Sequence, residues 1–326
     1  MSKFDIKKIV PLSAMAILLA GSFILPIEPA AGNSKAGDTQ TENKRETSEE
    51  KAEDPFKKIN LIGKSAIVFD IKNNKTLFEL NADEVLPLAS ITKMLLAPVA
   101  FDILLPDTEI LINKEFLEPE GDTGLLSDER WLLKDLVAFS LTVSSNDGAR
   151  AIASLAGAQN LNTTDYERGR ENFVALMNKK AKEFGMVKTQ ITNETGLDQD
   201  ETISGAYSTA REVGIMFEKL LKDYPELVGE TSTKKTKFTS LSGIEHEIKN
   251  TNLIVDSIPG IMFSKTGFTD LAGGNLAILF DPGIGRPVVA VILGSTIDGR
   301  FEDIQALVKA TREYILQEKN ATLTNE

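Results

Sequence analysis

A hydroxyl and an amine three residues apart, in Ser90-Ile91-Thr92-Lys93, are the first grouping in this chain that could do chemistry. Two more follow in order: Ser144-Ser145-Asn146 and Lys265-Thr266-Gly267. Together they offer a serine nucleophile, two amines, a second hydroxyl and an amide. These are the parts needed for acyl transfer, in which serine attacks a carbonyl and a neighbouring group takes its proton. Other bases are scarce. The chain has no Cys and one His, His246. A Cys/His zinc site is excluded, and a Ser-His-Asp triad could be built only around that residue. The base expected here is a lysine, and a lysine serves only when its pKa falls from about 10.4. A second cation nearby, supplied by Lys265, is expected to lower it by like-charge repulsion.

Each motif alone has a plainer reading. The S-x-x-K spacing recurs at Ser48 with Lys51, in a charged stretch, and at Ser232 with Lys235, in a polar run. Only Ser90 enters a strongly apolar helical pattern (Ile91, Met94, Leu95, Val99, Ile103) after an extended Pro87-Leu88-Ala89. At a helix start, residues three apart share a face, so the Lys93 amine can reach the Ser90 hydroxyl. The positive end of such a helix also favours an oxyanion. Ser90 could equally be an N-cap beside a solvated lysine. Ser144 to Asn146 could be an ordinary turn between the apolar helical stretches 131–143 and 149–155. Lys265-Thr266-Gly267 could be a sheet edge before a turn glycine. The ordered conjunction of all three favours the catalytic reading.

The elements that must position these groups are legible in outline. Residues 65–70 and 76–80 flank an Asn-rich turn and read as a β-hairpin. Helical patterns dominate from 90 to about 223, including 173–184 and 210–221. Strands return near 235–239, 260–265, 275–280 and 288–293, and a closing helix runs from about 301 to 317. Strands at both ends of a helical middle imply an α+β fold: an antiparallel sheet with flanking helices and an inserted helical subdomain. Pro98 should kink the nucleophile helix one to two turns beyond Ser90.

The 326 residues, 42% of them hydrophobic, can bury a substantial core. A formal charge of −12 argues against nucleic-acid partners. Lys3, Lys7 and Lys8 precede a mostly apolar run over residues 9–27, about 28 Å if helical. Residues 1–32 therefore read as an export signal or membrane anchor, with small residues at Pro29-Ala30-Ala31-Gly32 for cleavage. Residues 33–57 read as a disordered charged tether, 58–318 as the catalytic domain and 319–326 as a tail. His246 reads as a surface residue, Trp131 as packing, and Arg211 and Arg286 as surface ion-paired or helix-end arginines, with extra carboxylate binding as the alternative.

The three motifs occur together in class A β-lactamases and penicillin-binding proteins. The stretches Asn193-Glu194-Thr195-Gly196-Leu197-Asp198, Tyr207-Ser208-Thr209-Ala210-Arg211, Asn250-Thr251-Asn252, and Lys265-Thr266-Gly267-Phe268-Thr269-Asp270 with Ala272-Gly273-Gly274 narrow this further. Over residues 60–317 the chain resembles the low-molecular-mass penicillin-binding proteins, serine-type D-alanyl-D-alanine carboxypeptidases. The resemblance implies the β-lactamase/transpeptidase fold, no cofactor or metal, a peptidoglycan stem peptide ending in D-Ala-D-Ala as substrate, and β-lactams as covalent inhibitors. It implies Ser90 as nucleophile, Lys93 as base, Ser144 as proton relay, and Asn146 orienting Lys93 and the substrate. Lys265 and Thr266 bind the terminal carboxylate, and Gly267 permits close approach. The N–H groups of Ser90 and Phe268 form the oxyanion hole. A β-lactamase would add a glutamate in an E-x-x-L-N loop, for which Glu194 is the near match, departing at Asp198. A non-catalytic wall-binding or β-lactam-sensing module is the remaining alternative, and it needs no nucleophile.

Overall fold

The computed structural model describes residues 53–324 except 118, 119, 122, 228, 230 and 284. The expected leader and almost all of the tether, with Ser48 and Lys51, lie outside the described residues. Among the described residues no helix is long and apolar enough to cross a membrane.

Strands β1 (Ser65–Asp70) and β2 (Lys75–Leu80) form the expected hairpin. A short β3 (Leu86–Pro87) leads into a 3-10 turn, Ala89–Leu95, and then α1 (Leu96–Ile103). The small pair β4 (Glu109–Leu111) and β5 (Arg130–Leu132) precedes α2 (Leu133–Val143), α3 (Asn146–Leu161) and α4 (Tyr166–Glu183). Next come β6 (Gln190–Ile191), β7 (Ala206–Ser208), α5 (Ala210–Asp223) and the hairpin of β8 (Lys235–Thr239) and β9 (Glu245–Lys249). The chain closes with β10 (Ile261–Thr269), β11 (Gly273–Phe280), β12 (Val288–Ser295) and α6 (Gly299–Thr324).

The main sheet runs β10-β11-β12-β1-β2, antiparallel throughout, with the first strand β1 paired to the last strand β12. Strands β1, β11 and β12 are buried on both faces. Ile67, Val289, Val291, Leu293, Ala277 and Leu279 face the helical half. Their alternates Ala66, Val68, Ala290, Ile292, Leu276 and Ile278 face α6, against Ile304 and Leu307. Two buried faces make these strands read as continuous apolar runs rather than alternating ones. The result is the expected α+β architecture.

Three boundaries move. A 3-10 turn at Pro55–Lys58, capped by Asp54, buries Phe56 against Phe78 and Tyr314. The folded part therefore starts before residue 58, because one aromatic in the polar stretch finds a slot beside α6. The closing helix extends to Thr324, past the expected start of the tail. Pro98 does not interrupt a helix. The Ser90 segment is 3-10, and Pro98 lies in the first turn of α1, where a helix leaves its N–H groups unbonded.

Candidate active site

Ser90 and Lys93 sit on one face of the 3-10 turn, whose three-residue period brings i and i+3 into line. Lys93 Nζ lies 2.8 Å from Ser90 Oγ and donates to the Thr195 carbonyl at 2.7 Å. Two backbone features hold the turn there. Ala89 takes a left-handed conformation (φ 49°), its carbonyl accepting from Thr92 Oγ1. Gly196 (φ 78°) presses on that carbonyl so closely that a Cβ would stand 2.0 Å from the oxygen. The Asn193 side chain builds the turn beneath, accepting from Thr195 and Gly196 N–H and donating to the Leu197 carbonyl.

The second motif caps two helices. Ser144 ends α2 in a left-handed conformation (φ 63°), and Ser145 is the N-cap of α3, accepting from Gly148 N–H. A left-handed serine is costly. Here it turns the hydroxyl toward the sheet, where Lys265 Nζ donates to it at 2.9 Å. Asn146 begins α3. Its amide donates to the Glu120 carbonyl at 2.5 Å rather than to Lys93, and its buried Oδ1 has no partner among the described residues.

Strand β10 carries the third motif. Gly267 runs so near the nucleophile segment that a Cβ would stand 2.7 Å from Leu88 O and 3.2 Å from Ser90 N. The glycine thus serves contact with the enzyme's own backbone. Thr266 Oγ1 is 2.6 Å from Thr251 Oγ1, and Phe268 is 44% exposed at the rim.

Both amines are fully buried, with Lys93 0% and Lys265 1% exposed. Burial brings Lys93 down from its ordinary 10.5 to about 7, and the negative charge of Glu194 works against that fall. Lys265 is held well below 10.5, by burial first and then by the charges of Lys93 and Arg300. The expected cause is therefore corrected. Desolvation, and not the charge of Lys265, is what lowers Lys93, and the Lys265 amine is itself depressed. A lysine neutral near pH 7 can accept the Ser90 proton across the existing 2.8 Å contact.

Several residues here escaped the sequence reading. Thr195 acts through its backbone, so its side-chain type gave no signal. Arg300, on the first turn of α6, donates to Gly267 O at 2.8 Å, and no motif marks it. Glu194 is 2% exposed and paired with Arg170 of α4. His246 is corrected: it is buried, 2.7 Å from Glu129 Oε1 and packed on Trp131 and Phe139. The β8–β9 hairpin folds it inward, where the aromatic cluster covers its ring. Arg286 bridges Asp70 and Glu318, and Arg211 bridges Glu79 and Asp83, as their paired reading expected. Ser232 Oγ donates to Gly229 O and belongs to no Ser–Lys pair.

An α+β frame that seats a serine against a buried amine, with a second amine–hydroxyl pair beside it, defines a class of serine acyl-transfer hydrolases. The comparisons identify the family. Residues 48–296 match the D-alanyl-D-alanine carboxypeptidase family, to which the chain belongs. It is 33% identical over 239 residues to a D-alanyl-D-alanine endopeptidase of Escherichia coli, covering 70% of each chain. It is 27% identical over 289 residues to the D-alanyl-D-alanine carboxypeptidase DacF of Bacillus subtilis, covering 86% of this chain and 66% of the relative. Penicillin-binding protein D2 of Listeria monocytogenes, solved in its ampicillin-bound form, superposes with a TM-score of 0.65 at 28% identity, over 77% of this chain and 98% of that one.

Proposed function

We propose that this serine peptidase removes the terminal D-alanine from peptidoglycan stem peptides ending in D-Ala-D-Ala, through an acyl-enzyme on Ser90. The observation that carries the reading is the 2.8 Å contact between Ser90 Oγ and the low-pKa amine of Lys93. Ser90 Oγ attacks the carbonyl of the penultimate residue, and its proton passes to Lys93 Nζ. The oxyanion is met by the N–H groups of Ser90 and Phe268, drawn together by the close approach at Gly267. As the C–N bond breaks, the Ser144 hydroxyl, bonded to Lys265, relays to the leaving amine the proton that Lys93 took, and Lys93 is neutral again. Lys265 and Thr266 receive the terminal carboxylate, and that anion favours the protonated form of Lys265. Asn146, with its open Oδ1, holds the substrate amide N–H. Water then hydrolyses the ester.

β-lactams acylate the same serine, in keeping with the ampicillin-bound relative. The chemistry belongs outside the cytoplasm, where peptidoglycan lies. The basic and apolar N-terminal stretch serves as its export signal or membrane anchor, the charged residues from 33 onward as a tether, and the folded part from Asp54 to Thr324 as the catalytic domain.

A second reading, endopeptidase action on cross-linked stems, is favoured by the 33% identity to the Escherichia coli endopeptidase. Incubation with a pentapeptide stem and with a cross-linked dimer separates the two. Release of free D-alanine from the pentapeptide supports the carboxypeptidase. Cleavage of the dimer alone supports the endopeptidase, and turnover of neither sinks both.

A further inference from the structure

Glu194 and Arg170 stand behind Lys93, and the chemistry above makes no use of them. Glu194 lies in the turn whose next carbonyl, that of Thr195, holds Lys93 Nζ. Its carboxylate is almost fully buried and accepts from Arg170 Nη1 at 3.4 Å. That guanidinium makes its closer contacts elsewhere, with Glu167 through Nη2 and through Nε at 3.2 Å. Glu194 is thus only partly neutralised.

The other charges near Lys93 are cationic or engaged. Lys265 on β10 is an amine, and Arg300 on α6 acts on it in turn. The Asp198 carboxylate is taken by Thr269 Oγ1 and Leu271 N–H. On α4, Glu167 is paired with Arg170 and also feels Arg150 of α3. Among the described residues, Glu194 is the carboxylate whose charge acts on Lys93, and it favours the protonated form.

We infer that Glu194 is an electrostatic positioning residue for acylation, stabilising the ammonium that Lys93 becomes on taking the Ser90 proton, while Arg170 limits how strongly it does so. This rests on Ser90 being the nucleophile and Lys93 its base. In that step Ser90 Oγ bonds to the carbonyl carbon, the carbonyl π pair moves to its oxygen, and the Ser90 proton moves to Lys93 Nζ. When the intermediate collapses, the oxyanion pair re-forms the carbonyl, the C–N bond breaks, and the proton held by Lys93 passes to the leaving amine through Ser144, so that Lys93 is neutral again. The cation therefore exists only between the two events, in a site without exposed surface and beside another amine. An isolated buried ammonium is costly, and a fixed carboxylate on the residue before the Thr195 carbonyl that holds Lys93 offsets that cost without touching substrate.

The test measures acylation by a fluorescent penicillin from pH 5 to 9 in the full chain and in Glu194→Gln, Glu194→Asp and Arg170→Gln. Without the Glu194 charge, Lys93 binds its proton less well. The acid limb of the rate profile moves down by about one pH unit, and the plateau rate falls several-fold because the base is weaker. Without Arg170 the carboxylate acts undiluted, and the limb moves up. Glu194→Asp, which keeps the charge, restores the wild-type limb. Opposite shifts support the inference. An unmoved limb in Glu194→Gln, or shifts of one sign in both charge-removing variants, overturns it. So does a loss of thermal stability and plateau rate with the limb in place, which is what a purely structural role produces. Mass spectrometry of the wild-type adduct keeps the two ideas apart. An adduct away from Ser90 defeats the underlying reading, whereas labelled Ser90 with an unmoved limb defeats only the role of Glu194.

Discussion

Two buried polar clusters lie in this protein, and they are built on opposite rules. Beside α2 and the β8–β9 hairpin, Glu129 meets His246 at 2.7 Å within Trp131, Phe139 and Phe238. Acid faces base, and burial is compensated. At the motifs, Lys93 and Lys265 face hydroxyls and carbonyls, and no carboxylate is within hydrogen-bonding reach of either amine among the described residues. A compensated pair stabilises the fold. Two buried amines without a hydrogen-bonded acid, both with lowered pKa, cost stability, and on the proposed reading that is what lets Lys93 take the Ser90 proton.

The largest effect should come from Lys93→Met. It removes the base and should slow Ser90 acylation by roughly 10²–10⁴-fold. The same change should raise unfolding stability at pH 7 by about 1–3 kcal/mol, since an uncompensated buried amine gives way to an apolar side chain. The sign follows from linkage. Lys93 titrates near 7 when folded and 10.5 when unfolded, so its penalty is complete below pH 7 and fades as pH rises toward 10.5. The stability gain measured by urea unfolding should shrink across that window. A gain that grew with pH would break the contrast.

His246→Ala should behave oppositely. It strands the Glu129 carboxylate and should cost about 2–4 kcal/mol, with acylation per folded molecule unchanged. Loss of acylation without loss of stability would place this cluster in the chemistry. The pair also sets a smaller acid effect. Hydrogen bonds from His246, Ser240 and Leu126 N–H outweigh burial and hold Glu129 below its ordinary 4.5. That stabilisation is present above pH 4.5 and lost as pH falls through the lower folded value. The gap between wild type and His246→Ala should therefore narrow in acid unfolding below about pH 4.5. The smallest effect belongs to the surface. Arg211→Ala removes a one-third-exposed ion pair and should cost about 0.5 kcal/mol with no change in acylation.

How far the sequence carried the reading depended on where each signal was stored. The hairpin 65–80, the four later strands and α5 were visible because their signals are local: alternating or continuous apolar runs bounded by turn residues. Ser90, Lys93, Ser144 and Lys265 were found as side-chain types at short spacings. The pairing of Ser90 with Lys93 followed from their three-residue spacing, whereas that of Lys265 with Ser144, 121 positions apart, required the fold. Thr195 stood inside the 193–198 stretch but its role was hidden because it acts through its carbonyl, and Arg300 went unmarked because it reaches in from a distant helix. His246 was misjudged because its neighbours Glu245 and Glu247 are exposed on the opposite face of β9, so its polar context hid an inward-facing alternation. Phe56 was missed for a similar reason, a single aromatic in a charged stretch carrying no period. The 3-10 form of residues 89–95 follows from packing against β10 and the Gly196 turn, which no helical periodicity encodes.

The central claim is that Lys93 is neutral near physiological pH and takes the Ser90 proton. The most direct test is the rate of Ser90 acylation by penicillin across pH 5–9, with the adduct located by mass spectrometry. The account predicts a labelled Ser90 and a rate that rises with pH through a single limb near 7. A rate still climbing at pH 9 toward an ordinary lysine value, or an adduct on any other residue, would contradict it.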